Sequence, residues 1–181
     1  MIYKDEILDK DLKIRALRLE DCNSTYQSWL ENPEVNKYLE TRWKKWSIDE
    51  IKAFVSQVNE SKDSCIFAIV LLDKDKHIGN IKIGPIHQHY NFAEISYFIG
   101  DPLSWGKGYA SNAISLVCKF GFEKLKLHKI QAGVVGSNIS SIRALEKCGF
   151  VKEGCFRQKL YSPSGAEDHL YYGLLKDELI L

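Results

Sequence analysis

The amino-acid sequence predicts an α+β fold, with one domain over residues 1–181, a mostly antiparallel seven-stranded sheet and about four helices. Runs of β-branched and aromatic residues alternate with segments whose apolar residues recur at helical spacing. Most successive strands can pair antiparallel, and one helical crossover joins the fourth strand to the fifth. With 181 residues, 45% of them hydrophobic, the chain can build one sizeable core and does not need two.

The first half of the chain supplies four of these strands and two of the helices. Residues 12–19 alternate like a half-buried strand, and a helix over 20–30 stops before Asn32-Pro33. A short helical turn follows at 35–39. Ser47 and Glu50 have the spacing of a capping box, which predicts the start of the second helix. Turn sequences DKDK and HQHYN then separate three strands, at 65–72, 76–86 and 92–100.

The second half contains the crossover helix and the last three strands. Small and apolar residues share one face of that helix: Ala110, Ala113, Ile114, Val117, Phe120 and Gly121. Asn138 is suited to cap a further helix, and Gly149 to end it in a left-handed turn. The predicted bounds are 128–135 for a strand, 139–147 for that helix, and 150–160 and 168–175 for the final strands.

Charge and hydropathy exclude several classes of protein. Twenty-five Lys and Arg balance twenty-four Asp and Glu, for a formal charge of +1, so we expect no direct nucleic-acid binding. The charged start lacks the apolar core of a signal peptide, and no window reaches the roughly 18–20 apolar residues of a membrane span. We therefore expect a cytoplasmic protein with no membrane partner.

Cysteine and histidine patterns predict neither disulfides nor a metal centre. The five cysteines are odd in number, form no C-x-x-C pair and lie in apolar surroundings, so we expect free buried thiols. His87 and His89 are two residues apart but have no cysteine or carboxylate partners, so we expect no metal. The other histidines are isolated and typical of structural positions: His77, His128 and His169.

The stretch IGDPLSWGKGYASNAI ends a strand at a proline and begins a helix on glycines. The first amides of a helix have no internal partners, and glycines let an anion approach the backbone, so residues 105–110 are a candidate phosphate site. The spacing matches neither a P-loop nor a dinucleotide fingerprint. The alternative is that the glycines merely start a helix.

Three ordered segments connect this loop to a known family. The sequences AEISYFIGDPLSWGKGYASNAI, LHKIQAGVVGSNISSIRALEKCGF and DHLYYGLLKDEL resemble the GNAT superfamily of acetyl-CoA-dependent N-acetyltransferases, particularly its ribosomal-protein N-terminal acetyltransferase branch. The opening segment LKIRALRLEDCNSTYQSWLENPEVNKYL is similar to the same branch, so the resemblance covers almost the whole chain. It implies that the fourth and fifth strands splay apart around the coenzyme.

The resemblance also implies a set of coenzyme-binding residues. The family motif Q/R-x-x-G-x-G/A, whose amides hold the coenzyme diphosphate, falls on residues 105–110, with Trp105 in place of the leading Gln or Arg. Asn138 and Ser141 would contact the pantetheine arm, and the backbone at Phe98 and Ile99 would face the acetyl group. The complete set comprises Phe98, Ile99, Trp105, Gly106, Lys107, Gly108, Tyr109, Ala110, Asn138 and Ser141.

Glu94 is the candidate general base, because it interrupts an apolar strand directly before the coenzyme loop. Branch members carry a Glu at this point, and a buried salt-bridged or edge carboxylate is the structural alternative. Many GNAT enzymes have a tyrosine that acts as the general acid at the position where this chain has Leu145. The thiolate must therefore take its proton from Ser141 or from water, or leave without one. The acceptor pocket would draw on Tyr38, Arg42, Trp43, Trp46 and Tyr161.

Together these features predict an N-acetyltransferase with acetyl-CoA as co-substrate and a primary amine as acceptor. A protein N-terminus and an amino-sugar nucleotide both stay open, while a polyamine is disfavoured because only Glu31, Glu34 and Glu40 supply negative charge near the pocket. The main alternative to an enzyme is a non-catalytic acyl-CoA-binding module. The sequence gives less support to a generic nucleotide-binding domain. Dimerisation through the C-terminal strands is compatible with the sequence.

Overall fold

In the computed structural model residues 6–162 and 165–181 are described, and within them eight strands form one sheet in the order β1-β2-β3-β4-β5-β6-β8-β7. Neighbouring strands are antiparallel except for β5 and β6, which run parallel. The strands are β1 (Ile7–Leu8), β2 (Leu12–Ala16), β3 (Cys65–Leu71), β4 (Lys76–His87), β5 (Phe92–Ile99), β6 (Lys129–Val135), β7 (Val151–Ser162) and β8 (Gly165–Leu175).

Helices cover both faces of the sheet. β3 is buried along its whole length because alternate side chains enter two different cores. Phe67 and Ile69 pack in the core beneath the fourth and fifth helices, while Ala68 and Val70 pack in the core beneath the first three. The helices are α1 (Ser24–Glu31), α2 (Pro33–Asn36), α3 (Ile48–Glu60), α4 (Tyr109–Glu123) and α5 (Ile139–Lys147).

The predicted packing of α4 on the sheet is confirmed. Ala113, Ile114 and Val117 are almost completely buried. A methyl group added at Gly121 would lie 2.9 Å from the end of the Ile83 side chain and 3.0 Å from the end of the Ile130 side chain, so those side chains would have to shift to accommodate it. The small residues therefore seat the crossover helix, and with it the loop at its start, against the strands.

The local capping predictions are also confirmed. Ser47 Oγ accepts from the amide of Glu50, whose carboxylate accepts from the amide of Ser47. Asn138 Oδ1 accepts from the amide of Ser141 at 3.2 Å and caps α5. Gly149 has a φ of +94° after the end of α5, and the backbone of Glu178 lies against it.

Several sequence predictions are corrected. The sheet has eight strands because the two residues of β1 pair with β2, Ile7 opposite Ile14. The helix predicted over 20–30 is a 3-10 turn at Leu19–Asp21 followed by α1, since the Asn23 side chain caps the amides of Thr25 and Tyr26. The described residues form five α-helices instead of about four, because the Asn32 side chain caps a separate helical turn, α2.

One cysteine prediction is also wrong. Four cysteines are buried free thiols, whereas Cys155 is exposed because it lies on β7, the outermost strand beside β8. Among the described residues, no helix is both long and apolar enough to cross a membrane.

Candidate active site

The site is built where β5 and β6 separate. Only Phe92, Ala93 and Glu94 of β5 pair with β6, opposite residues 129–131, although both strands continue well past this point. A cavity of about 440 Å³ opens at the separation, and its wall includes Glu94, Tyr97, Gly133, Asn138, Ser141 and His169. A second depression, of about 710 Å³, is lined by residues of β7 and β8 that include Cys155 and Asp168.

Hydrogen bonds of two side chains fix the loop that leads from β5 to α4. The Asp101 carboxylate accepts hydrogen bonds from Lys76 Nζ at 2.6 Å and from Ser104 Oγ at 2.8 Å. Burial alone would raise the pKa of this carboxyl, but those bonds outweigh it and hold the pKa below its usual range. The Trp105 indole donates to the carbonyl of Ile99 at 2.8 Å, so Trp105 packs back on the strand.

The loop presents free backbone donors. Gly106 and Gly108 have φ values of +72° and +83°, which glycine adopts without steric cost. In the described part of the chain, no protein acceptor receives the amides of residues 106–111, and the first bond at the start of α4 comes from Asn112 to Gly108. The space in front of the glycines is open, since an added methyl group at Gly106 would meet no atom within 4 Å.

This geometry fits a diphosphate. Unpaired amides at the start of a fifteen-residue helix carry partial positive charge. The side chain of Lys147 adds a cation, its Nζ lying 3.9 Å from the position of a methyl group on Gly108. The chain can therefore hold a coenzyme diphosphate with main-chain donors and one lysine, although Trp105 supplies no donor to it.

Facing hydroxyl groups link β5 to α5 beside the cavity. Tyr97 Oη and Ser141 Oγ are 2.7 Å apart, and Tyr97 also donates to the carbonyl of Ser141 at 3.3 Å. Burial raises the pKa of the Tyr97 phenol, while the bond to Ser141 opposes the rise. Leu145, one turn along α5, lines the same cavity and is completely buried. A tyrosine hydroxyl thus lies near this helix, although it comes from β5.

Glu94 and His169 converge on Gly133. A methyl group added to Gly133 would lie 2.5 Å from His169 Nε2 and 3.5 Å from Glu94 Oε1. Burial lowers the pKa of the His169 imidazole and Lys159 adds to this, whereas the carboxylates of Glu94 and Glu40 oppose it. Sequence reasoning treated His169 as an isolated structural histidine. The sequence signal for a functional role was a histidine within the last strand. Its proximity to Glu94 depends on the pairing of β8 with β6, which the sequence does not reveal.

The predicted acceptor residues are not gathered in one place. Tyr38 lines the cavity, and its hydroxyl donates to the carbonyl of Ser137 at 3.1 Å across the opening. The other four predicted side chains are not part of the cavity wall. The Arg42 guanidinium stacks on Trp43 at 4.3 Å, the Trp46 indole donates to a carbonyl of its own loop, and Tyr161 is 75% exposed.

Of the remaining coenzyme predictions, Phe98 lines the cavity. Ile99 ends β5, and its carbonyl is bonded to Trp105. Lys107 lies in the loop before α4, and Tyr109 and Ala110 are the first two residues of that helix. No group of three or more His, Cys, Asp or Glu side chains within residues 6–162 and 165–181 is arranged to hold a metal ion.

A split sheet, free amides at the crossover helix and a carboxylate in the gap define an acyl-transferring α+β domain. Residues 11–151 match the model of the acetyltransferase (GNAT) domain family. The uncharacterized N-acetyltransferase YnaD of Bacillus subtilis is 33% identical over 177 residues, which cover 95% of this chain and 98% of that protein.

Solved structures agree. A GNAT-family acetyltransferase from Bacillus anthracis superposes with a TM-score of 0.82 at 26% identity, covering 96% of this chain and 100% of that one. Spermidine N-acetyltransferase from Vibrio cholerae, in complex with CoA and spermine, gives a TM-score of 0.82 at 24% identity, covering 93% and 97%, which shows the fold alone. The chain belongs to the GNAT acetyltransferase family and is an acetyl-CoA-dependent N-acetyltransferase.

Proposed function

We propose that this protein acetylates the α-amine at the N-terminus of a peptide or protein, by direct attack of that amine on acetyl-CoA. One observation carries the proposal: the Glu94 carboxylate faces the cavity in the split sheet, on the strand that leads into the loop of free amides. A base and a coenzyme cradle thus lie on successive elements of the same chain.

The coenzyme cradle consists of the amides of residues 106–110, with Lys147 beside them. Asn138, whose side chain also caps α5, lies on the wall of the cavity where the pantetheine arm would pass. When bound, the coenzyme supplies the acetyl thioester. The chain orients that thioester by fixing the diphosphate at one end of the cleft and leaving the gap between β5 and β6 open at the other.

The acceptor follows from the size of the deprotonation problem. A lysine side chain with a pKa near 10.4 costs roughly 4.6 kcal/mol to deprotonate at pH 7, whereas an α-amine near 7.8 costs only about 1 kcal/mol. One exposed carboxylate is a modest base, and it suits the second group better. Glu94 therefore favours an α-amine over a lysine side chain.

Charges around the cavity support the same acceptor. The carboxylates on its wall are those of Glu40 and Glu94, and Lys82 lies there too, so the described lining is not the strongly acidic surface that suits a polyamine. An amino-sugar nucleotide would need aromatic and basic side chains on its phosphate and base, yet Arg42 and Trp43 lie outside the cavity wall. A peptide α-amine requires neither feature.

The leaving thiolate needs a proton, and Leu145 cannot supply one. Ser141, hydrogen-bonded at 2.7 Å to the hydroxyl of Tyr97, is the donor that we assign on this side of the cavity. Tyr97 holds the Ser141 hydroxyl in position and can replace the proton that it gives up. The proton donor thus comes from α5 with support from β5.

A panel of acceptors tests the proposal by release of the coenzyme thiol. We expect turnover with peptides that have a free α-amine, and none when the α-amine is blocked but a lysine side chain is present. Turnover confined to spermidine or to an amino-sugar nucleotide would overturn the acceptor assignment. Tight coenzyme binding without turnover on any amine would favour a non-catalytic acyl-CoA-binding module.

A further inference from the structure

We propose that His169 and Glu94 act as a proton-accepting pair, in which His169 Nε2 takes the proton from the acceptor amine and Glu94 stabilises the imidazolium that forms. The proposal deepens the function proposed above and rests on it. It assigns a chemical role to a histidine that the sequence alone marked as structural.

The position of His169 follows from strand register. On β8, His169 lies opposite Val135 of β6, while Gly133 lies opposite Tyr171. The His169 ring nevertheless leans over Gly133, where its Nε2 and the Glu94 carboxylate approach the same point. A side chain at position 133 would collide with the ring, so the absence of a Cβ there is what allows the two groups to converge.

The hydrogen bonding of His169 is unusual for a structural histidine. Its Nδ1 is buried without a hydrogen-bond partner among the described residues. A buried structural imidazole normally donates to a carbonyl or carboxylate. Here the ring is held by packing, 4.6 Å from the ring of Tyr171, and a neutral imidazole keeps a lone pair available to the cavity.

The charges that face His169 come from three other elements. Glu94 on β5 and Glu40, the first residue of a 3-10 turn at Glu40–Trp43, favour the protonated ring, whereas Lys159 on β7 and burial favour the neutral one. Tyr171 lies beside it on β8, with its hydroxyl bonded to Lys159 at 3.0 Å. The balance lowers the pKa of His169, so the ring is neutral and able to accept a proton at pH 7.

The proton balance closes without any further reactant. An N–H bond of the acceptor ammonium breaks and its proton moves to His169 Nε2. The freed lone pair of the amine forms a bond to the thioester carbonyl carbon, and the C–S bond breaks with its electron pair on sulfur. The nitrogen loses a second proton as the amide forms, and the thiolate gains one, so these two changes cancel. His169 then releases the first proton to water.

The kinetic test compares His169→Gln with wild type from pH 6 to pH 9, using a peptide with a free α-amine. We expect kcat/KM at pH 7 to fall about 100-fold, the low end of the effect of general-base catalysis. The loss should shrink toward pH 9, where an α-amine with a pKa of about 7.8 is already neutral. His89→Gln, an exposed histidine in the β4–β5 connection, is the control and should match wild type.

A purely structural role predicts a different result. If His169 only packs, the loss in His169→Gln would be equal at every pH, and coenzyme affinity would fall with it. That outcome would overturn the proposal. Wild-type enzyme that fails to use any α-amine peptide would instead contradict the proposed acceptor, and a second measurement then tests the pair without a substrate.

This second measurement is an NMR titration of the His169 imidazole in wild type and in Glu94→Gln. Because the Glu94 carboxylate stabilises the imidazolium, its removal should move the protonation of His169 to lower pH. The signal of His89 should not move. Titration of His169 at the same pH in both proteins would contradict the pair, whatever the acceptor is.

Discussion

Replacing Gly108 with alanine tests the coenzyme cradle, because this residue combines a left-handed backbone with free space in front of it. Its φ is +83°, and an added methyl group would meet only Lys147 Nζ, at 3.9 Å. The substitution therefore causes no clash within the protein. It strains the backbone by about 1–2 kcal/mol, the cost of a left-handed conformation for a residue with a Cβ.

The effect on coenzyme binding should exceed the effect of strain. The methyl group occupies the space through which a diphosphate reaches the amides, and losing one hydrogen bond to a charged group costs about 1.5–3 kcal/mol. That loss corresponds to a roughly 10- to 150-fold weaker affinity for coenzyme A. Isothermal titration calorimetry with coenzyme A measures it, and thermal unfolding measures the strain.

Gly165→Ala is the matched control. Gly165 also has a positive φ, +117°, with open space around it, but it lies at the start of β8, away from the loop. Both variants should lose stability, and only Gly108→Ala should lose affinity for coenzyme A. Wild-type affinity in Gly108→Ala, or an equal loss in both variants, would refute the assignment of this loop to the diphosphate.

Three further substitutions probe the carboxylate in the gap between β5 and β6, the loop anchor and the thiolate donor. Glu94→Gln should lower kcat/KM about 100-fold at pH 7 in steady-state assays and leave coenzyme affinity unchanged; unaltered kinetics would remove Glu94 from the mechanism. Asp101→Asn should destabilise the protein in urea at pH 7 by weakening the bond to Lys76. The pKa of Asp101 is lowered on folding, so its contribution is present above the unfolded pKa of about 3.9 and is lost as the pH falls through the folded value. The deficit should therefore shrink below pH 4, and a deficit independent of pH would contradict this reasoning. Tyr97→Phe should reduce single-turnover thiol release about tenfold through the loss of its hydrogen bond to Ser141, while phenylalanine keeps the packing; an unchanged rate would exclude the hydroxyl pair.

The parts of the fold that local chemistry dictates could be predicted from the sequence. Caps at Ser47 and Asn138 and the left-handed turn at Gly149 depend on residues within a few positions of each other. The small residues of α4 predicted its close approach to the sheet for the same reason. Short-range patterns therefore placed the loop at residues 105–110 between a strand and a helix before any tertiary contact was known.

Features that depend on pairing between distant strands were missed. β1 has two residues, too few for an alternating pattern, and is defined only by its register with β2. His169 reaches Glu94 because β8 inserts between β6 and β7, an order that the chain sequence does not reveal. Arg42 and Trp46 were predicted to line the pocket from composition, but each donates a hydrogen bond to a carbonyl of its own loop.

A crystal structure of the coenzyme A complex tests the central claim most directly. We expect the diphosphate oxygens within hydrogen-bonding distance of the amides of residues 106–110, with the thiol directed into the gap beside Glu94 and Ser141. A diphosphate bound elsewhere, or a thiol that points away from the separation of β5 and β6, would contradict the account.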